Sequence, residues 1–476
     1  MSRYEAVIGM EVHAELLTES KMFCGCKNAF GGEPNTRCCP VCMALPGALP
    51  VMNRKAVDFV IRTSLALNCE ITRNAKFDRK NYFYPDLPKG YQISEYDLPI
   101  GVNGWIDVDV DGKTTRVKIR RIHLEEDTGK LQHVMGDESE VDYNRSGLPL
   151  MEIVTEFPPD MHTAEEAYAY VTTLRGILTY IGVSDGKMEE GSMRCEPNLS
   201  VRLIGSDTYG TKTEIKNLNS FRAVLNGVKY ELNRQVMFLD KGGVITQETR
   251  GWNDTRQETF SQRSKEGEQE YRYFPEPDLV PLQISEEWID EIKKAMPELP
   301  RQARERFMEQ YGLSEYDSNV LTQSRVFANY FEETAQLCDD AKSTANWIMG
   351  ELSRLMNAEG IEIQQTKVTP KLLADLILLI NKGTISGKMA KEMFEKVYAE
   401  GADPIALAKD IGPQISDSNA IVGIIDQVIA EQPAIWTALC AGDEKKFGFF
   451  VGQIMKASKG KANPQEVNRL LKDKLA

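Results

Sequence analysis

No apolar run in the 476 residues approaches the roughly 20 needed to cross a bilayer, which argues against a helical membrane anchor. The opening stretch, MSRYEAVIGMEVHAEL, has neither the charged-then-apolar layout of a signal peptide nor the Arg-rich, acid-poor character of a transit peptide. The expectation is a soluble, cytoplasmic protein with no membrane partner. An excess of positive charge is also lacking. The 57 Lys and Arg stand against 71 Asp and Glu, a formal net charge of −14. That balance argues against broad non-specific binding to nucleic acid without excluding a local basic patch. Compact catalytic signatures are missing too: there is no H-E-x-x-H, G-x-S-x-G or G-x-G-x-x-G. Asp111-Gly112-Lys113-Thr114 resembles the end of a phosphate-binding loop, but the glycine required five residues before Gly112 is replaced by Asp107, so a hairpin turn is expected. No Gly/Ser-rich stretch of the amidase type occurs, so a chain that uses ammonia is not expected to make it. Internal repeats and low-complexity tracts are absent.

At roughly 100–200 residues per domain, the length predicts two to four domains. With 42% hydrophobic and 27% charged residues the chain is ordinary globular material. Of nine cysteines, Cys24, Cys26, Cys38, Cys39 and Cys42 share one short window, while Cys69, Cys195, Cys338 and Cys440 are scattered. An odd count is a poor disulfide framework, and clustering points to metal.

Residues 1–290 read as β-rich with helical interruptions. Alternation marks strands over Arg3–Leu16 and Gly104–Val117, the latter around the turn Asp111-Gly112-Lys113. Helical periods mark Asn53–Leu67 and Thr163–Ile181, which opens on a Thr-x-x-Glu capping box. From Ser285 onward the chain turns almost wholly helical, with a second change near Pro404 and Gly412-Pro413. The end, from Lys445, carries eight Lys and Arg against two acids. The expected architecture is α+β: a β-rich domain over 1–290, an all-helical domain over 291–405 and a basic helical tail over 406–476.

Several clusters carry chemistry. Cys24-Gly25-Cys26 and Cys39-Pro40-Val41-Cys42 supply two thiolate pairs that can close a tetrahedral structural zinc site; the other reading is a set of buried or free thiols. Cys38 is a fifth candidate, read as a bystander. On a strand, Glu11, His13 and Glu15 share one face while Met10, Val12, Ala14 and Leu16 face the core. That polar face suits a divalent cation holding phosphates, or it is an ordinary solvated face. In His123-Leu124-Glu125-Glu126-Asp127-Thr128-Gly129-Lys130, three consecutive acids repel one another unless a cation lies nearby; a solvated loop is the alternative. Arg194 and Glu196 in MEEGSMRCEPN, and Lys212, Glu214 and Lys216 in GTKTEIKNLNSF, mix acids and bases as polar clefts do. Arg and Lys there would neutralise phosphoryl charge. The stretch Phe77–Ser94, with Lys80 and Lys89, is similarly polar and aromatic.

Taken in order, IGMEVHAEL, KMFCGC, CPVC, LPGALPVMN, FDRKNYFYPDLPKGYQIS, HLEEDTGK, YNRSGLPLMEIV, MEEGSMRC, EIKNLNSF, YRYFPEPDL and GQIMKASKGKANP closely resemble the B subunit of the aspartyl/glutamyl-tRNA amidotransferase family over essentially the whole chain. The resemblance implies an ATP-dependent carbon–nitrogen ligase with glutamine as amide donor. It would work with two partners, a glutaminase of the amidase class and a small linking protein, the family's A and C subunits. It would convert misacylated Asp-tRNA(Asn) or Glu-tRNA(Gln) to Asn-tRNA(Asn) or Gln-tRNA(Gln). ATP would phosphorylate the side-chain carboxylate, and ammonia channelled from the partner would displace the phosphate.

Carried over by residue, the resemblance makes Glu11, His13 and Glu126 ligands of Mg²⁺, with Glu125 and Asp127 adjoining as catalytic residues. Lys80, Lys89 and Arg194 become channel or substrate residues, and Cys24, Cys26, Cys39 and Cys42 ligands of a structural Zn²⁺. It also implies a cradle-like fold for the β-rich domain and tRNA binding by the basic tail. One departure stands out: Arg194-Cys195-Glu196-Pro197 occupies a stretch where the family commonly has Arg-Cys-Asp and a small residue, so Glu196 is a less certain ligand. The competing expectation is a zinc-stapled tRNA-holding scaffold whose partners perform all the chemistry.

Overall fold

A computed structural model of the chain describes residues 3–133, 138–264, 271–411, 417–443, 445–458 and 461–475. The Gly412-Pro413 break and part of the basic end, Lys459-Gly460, lie outside them. The fold is α+β, divided into a unit Met1–Leu299 and a unit Pro300–Ala476.

The first unit is built on a twelve-stranded sheet. Its strands are β1 (Tyr4–Glu15), β2 (Glu70–Ile71), β3 (Asp78–Asn81), β4 (Tyr91–Ser94), β5 (Gly101–Val110) and β6 (Lys113–Glu126), followed by β7 (Pro149–Thr155), β8 (Met193–Leu203), β9 (Thr213–Lys216), β10 (Glu248–Asn253), β11 (Glu258–Ser264) and β12 (Phe274–Pro275). They run in the order β11-β10-β9-β8-β1-β7-β6-β4-β3-β12, with β5 pairing β6 and β2. Antiparallel neighbours β7 and β8 hold the central β1, as its strict alternation requires: Ile8, Met10, Val12, Ala14 and Leu16 are at most 1% exposed. The β5–β6 hairpin turns on Asp111 and Gly112, both at positive φ (49° and 77°), the backbone a two-residue turn needs to match strand twist.

Helices α1 (Arg54–Ala66), α2 (Ala164–Tyr180) and α3 (Phe221–Asp240) contribute Val57, Ile61, Tyr170, Leu174 and Val224 to one apolar core with the inward residues of β1, β6 and β7. The opposite face of these strands is left polar. Helix α4 (Glu286–Ala295) joins this core through Trp288, whose indole N–H donates to Asp58 at 2.7 Å under the Arg54 guanidinium.

The start of α2 is fixed by the capping box. Thr163 Oγ1 accepts from the Glu166 N–H, and the Glu166 carboxylate accepts the N–H groups of Thr163 and His162. Thr163→Ala is expected to lower unfolding stability by about 1 kcal/mol, read as a shift in the urea midpoint, and Thr163→Ser to leave it nearly unchanged.

In the second unit the described residues form helices from Pro300–Tyr311 to Pro464–Leu475. Two apolar clusters hold them, one spanning Phe307 to Ala408 and one Ile421 to Leu471.

Candidate functional site

The polar face of the sheet opens into a cavity of about 1360 Å³ in the first unit. Strand register, invisible in the sequence, assembles its floor. On β7, Glu152 lies between His123 of β6 and His13 of β1. His13 in turn lies opposite Arg194, and Glu11 opposite Glu196, on β8. Next come Asn198 opposite Glu214 of β9, and Leu150 opposite Glu125.

Two donor clusters result. In the first, one ligand atom each of His123, Glu125 and Glu152 lie within 4.8 Å of one another, His123 and Glu125 being buried. His123 Nε2 is 2.8 Å from Glu152, and His13 Nε2 is 3.6 and 3.8 Å from Glu125 and Glu152. Burial opposes charge on His123, but Glu152 and Glu125 outweigh it and push its pKa up to about 9. Burial likewise opposes charge on Glu125, and His123 overcomes it, holding the carboxyl below its usual range. In the second cluster, Glu11, Glu196 and Glu214 meet within 4.8 Å. Glu11 accepts from Asn198 at 3.0 Å, and Lys216 lies 3.0 and 3.5 Å from Glu196 and Glu214. Burial, then the neighbouring Glu152, Glu196 and Glu214, push the Glu11 carboxyl up. Carboxylates crowded this way repel unless a cation joins them, and the buried Nδ1 atoms of His13 and His123 have no partner. The five carboxylates suit a hard divalent cation such as Mg²⁺, and a cation bound beside His123 would take the place of the proton that this imidazole otherwise carries.

Beside these clusters, Asp127 is held ionised against burial by Arg194 at 3.0 Å and Arg145 at 3.7 Å. Burial and the Asp127 charge push Glu15 up to about 8. Lys80 lines the same cavity, where Glu125 offsets the cost of burying its ammonium group.

Two residues go elsewhere. Glu126 follows Glu125 on a strand, so alternation turns it to the other face with Leu124 and Ile122, away from Glu11 and His13. There it accepts the Ile93 N–H at 3.0 Å and pairs with Lys89 at 2.7 Å. Both line a smaller cavity of about 330 Å³. The expected grouping of Glu126 with Glu11 and His13 is corrected accordingly: the structure brings His13 to Glu125 and Glu11 to Glu196 and Glu214, and Glu126 joins neither group. Nor is the acidic stretch a solvated loop, since Glu125, Glu126 and Asp127 are all buried. Strand β4 separates the two cavities, with Gln92 and Ser94 facing the larger and Tyr91 and Ile93 the smaller.

The thiol groups of Cys24, Cys26, Cys39 and Cys42 converge within 4.8 Å. Tetrahedral zinc, with Zn–S near 2.3 Å, needs sulfurs roughly 3.8 Å apart, and the Cys39–Cys42 pair is at 3.9 Å. Cys24, donating its thiol hydrogen, together with the Cys39 N–H and the Lys21 ammonium, draws Cys42 down to about 4. Four converging thiols, one poised as thiolate, fit Zn²⁺. Cys38 stays outside, its sulfur 4.0 Å from Asn144 Oδ1.

Sequence reasoning missed His123, Glu152 and Glu214 as donors. His123 alternates with Glu125 in the same strand and was findable by that signal. Glu152 is a lone acid in the apolar run Pro149–Thr155, and only register reveals its partners.

Residues 6–290 match the GatB/GatE catalytic domain, and residues 329–475 the GatB domain. The B subunit of the aspartyl/glutamyl-tRNA(Asn/Gln) amidotransferase of Thermoanaerobacter sp. (strain X514) is 54% identical over 475 residues, covering all of both chains. The proteins of the same description from Carboxydothermus hydrogenoformans and Trichlorobacter lovleyi are 52% and 53% identical, again over the full length of both chains. The cavity with its two donor clusters lies wholly inside the matched catalytic domain, and the chain belongs to the GatB/GatE family of amidotransferase B subunits.

Proposed function

We propose that this chain is the subunit of a tRNA-dependent amidotransferase that activates and amidates the side-chain carboxylate of Asp or Glu carried by misacylated tRNA(Asn) or tRNA(Gln). The observation that carries the reading is the convergence of two imidazoles and five carboxylates on one polar floor beside Lys80, Arg194 and Lys216. A carboxylate is a poor acyl donor because its leaving group would be oxide. Transfer of the ATP γ-phosphoryl group makes that oxygen a phosphate, which ammonia displaces to leave the amide. Such a step needs positioning and charge neutralisation more than covalent chemistry.

His13, His123, Glu125 and Glu152 would hold one Mg²⁺, and Glu11, Glu196 and Glu214 a second. Bound there, the cations would neutralise phosphoryl oxygens. Lys216 holds Glu196 and Glu214 in place, and Arg194 with Arg145 fixes Asp127 at the cavity wall. Lys80, in the same cavity, supplies positive charge to an anionic substrate.

The Lys89–Glu126 pair, behind β4, belongs to the route by which ammonia arrives from a glutaminase partner of the amidase class, with a small third protein completing the complex. The four cysteines would hold a structural zinc. The helical segments over 291–405 and 406–476 would act as separate domains, the basic tail helping to hold tRNA. No helix of the described residues is long and apolar enough to cross a membrane.

The test is amide formation by the chain purified with its two partners. Glu152→Gln is expected to lose Asn-tRNA or Gln-tRNA formation and ATP cleavage while glutamine hydrolysis by the partner continues. Unchanged product would remove the cluster from the chemistry. ATP cleavage that persisted in every cluster variant would favour the scaffold reading.

A further inference from the structure

One wall of the large cavity is built largely of tyrosines. The rings of Tyr96 and Tyr273 stack in parallel, centroids 3.9 Å apart and planes 10° from each other. Tyr271 meets Tyr273 edge-on at 6.2 Å and Tyr82 at 5.8 Å. These four line the cavity together with Tyr84. Stacked rings usually hide in a core, yet Tyr96 is 46% exposed, and Tyr84, outside the stack, is 54% exposed. The wall also adjoins the donor clusters. Lys80, whose charge Glu125 supports, lies 4.8 Å from the Tyr271 ring, and the Tyr273 hydroxyl feels both Glu125 and Glu152.

An exposed aromatic face at the edge of a polar floor has the chemistry of a base-stacking platform, with the charged part of the ligand directed to the floor. We propose that this wall is an adenosine subsite, in which an adenine ring extends the Tyr96–Tyr273 stack and its ribose substituents project towards His13, Glu125 and Glu152. This rests on the functional reading above. Two of its substrates carry an adenosine, namely ATP and the 3′ end of tRNA, and a π-stack recognises the ring rather than what hangs from the ribose. Tyr96 is the residue to test because its exposure means that truncation leaves the core intact.

The experiment measures KM for ATP and for misacylated tRNA in the complete three-protein complex carrying Tyr96→Ala or Tyr96→Phe. Tyr96→Ala is expected to raise one of the two KM values about tenfold or more, and Tyr96→Phe to restore it. A raised KM for ATP assigns the wall to the nucleotide, and a raised KM for tRNA assigns it to the 3′-terminal adenosine. The subsite is overturned if both values stay within about twofold of wild type. It is also overturned if Phe fails as Ala does, since the hydroxyl rather than the ring would then matter, or if the Ala variant no longer holds its partners, since the ring would then be an interface. A wild-type complex that forms no amide at all would overturn the functional reading, and the subsite with it.

Discussion

Glu125→Gln is expected to weaken Mn²⁺ binding, used in place of Mg²⁺, and to lower ATP cleavage on the order of 100-fold, whereas Glu126→Gln leaves Mn²⁺ binding unchanged. The substitutions are adjacent and isosteric, and each removes one negative charge. What separates them is the strand pleat. Glu125 points to the floor shared with His13, His123 and Glu152, so its loss removes a proposed cation ligand and strips both imidazoles of a neighbouring carboxylate. Glu126 points to the other cavity, where its loss leaves the largely buried Lys89 ammonium without its 2.7 Å partner. Breaking a buried pair on one side costs about 3 kcal/mol of stability. The Glu126 variant is therefore expected to be less stable and to amidate poorly while still cleaving ATP. Mn²⁺ titration followed by electron paramagnetic resonance, with ADP release in parallel, reads the difference. Equal loss of Mn²⁺ in both variants would contradict the two-face arrangement.

The second large effect concerns the cysteine knuckle. Cys42→Ser is expected to reduce bound zinc from about one per chain to none, and to loosen the Gly/Pro-rich loop around it, because the proposed metal would shape that segment more than a core of its own does. The consequence reaches the smaller cavity. Gly147, at φ +82°, fits where a Cβ would stand 3.5 Å from Cys42, 3.8 Å from Lys21 and 3.9 Å from the Glu126 carboxylate, so the knuckle backs directly onto the Lys89–Glu126 pair. Lys21 itself is fully buried and donates to the carbonyls of Ser146 and Tyr143 at 2.7 and 3.2 Å. Zinc loss should therefore uncouple the partner's glutamine hydrolysis from amide formation, with ATP cleavage in the larger cavity less affected. Metal content by atomic absorption and the ratio of glutamate to amide product check this. A variant that keeps zinc, or loses it with coupling intact, would contradict the arrangement.

How much of this was readable beforehand follows from the range of each interaction. The polar face of β1 was legible because one long strand alternates without interruption, and the start of α2 because a capping box is local to four residues. The hairpin at Asp111-Gly112 was legible for the same reason. Glu152 and Glu214 were not, because their meaning comes from register between strands far apart in the chain: Glu152 lies 139 positions from His13, its neighbour across the β1–β7 ladder. Glu126 was misplaced for a different reason. Its role was carried over by resemblance, and the run of acids in which it lies ends a strand, where consecutive residues cannot share a face. The tyrosine wall draws on Tyr82, Tyr96, Tyr271 and Tyr273, which only the sheet brings together.

The claim on which the rest depends is that the side-chain carboxylate becomes an acyl-phosphate on this chain. Misacylated tRNA carrying ¹⁸O in that carboxylate, incubated with ATP, glutamine and the complete complex, tests it in one measurement. Attack of a labelled oxygen on the γ-phosphorus and later displacement by ammonia must leave one ¹⁸O in inorganic phosphate and the other in the amide, and Glu125→Gln must slow the transfer on the order of 100-fold. Phosphate that emerges unlabelled while amide accumulates, or label that transfers undiminished in the Glu125 variant, would contradict the account.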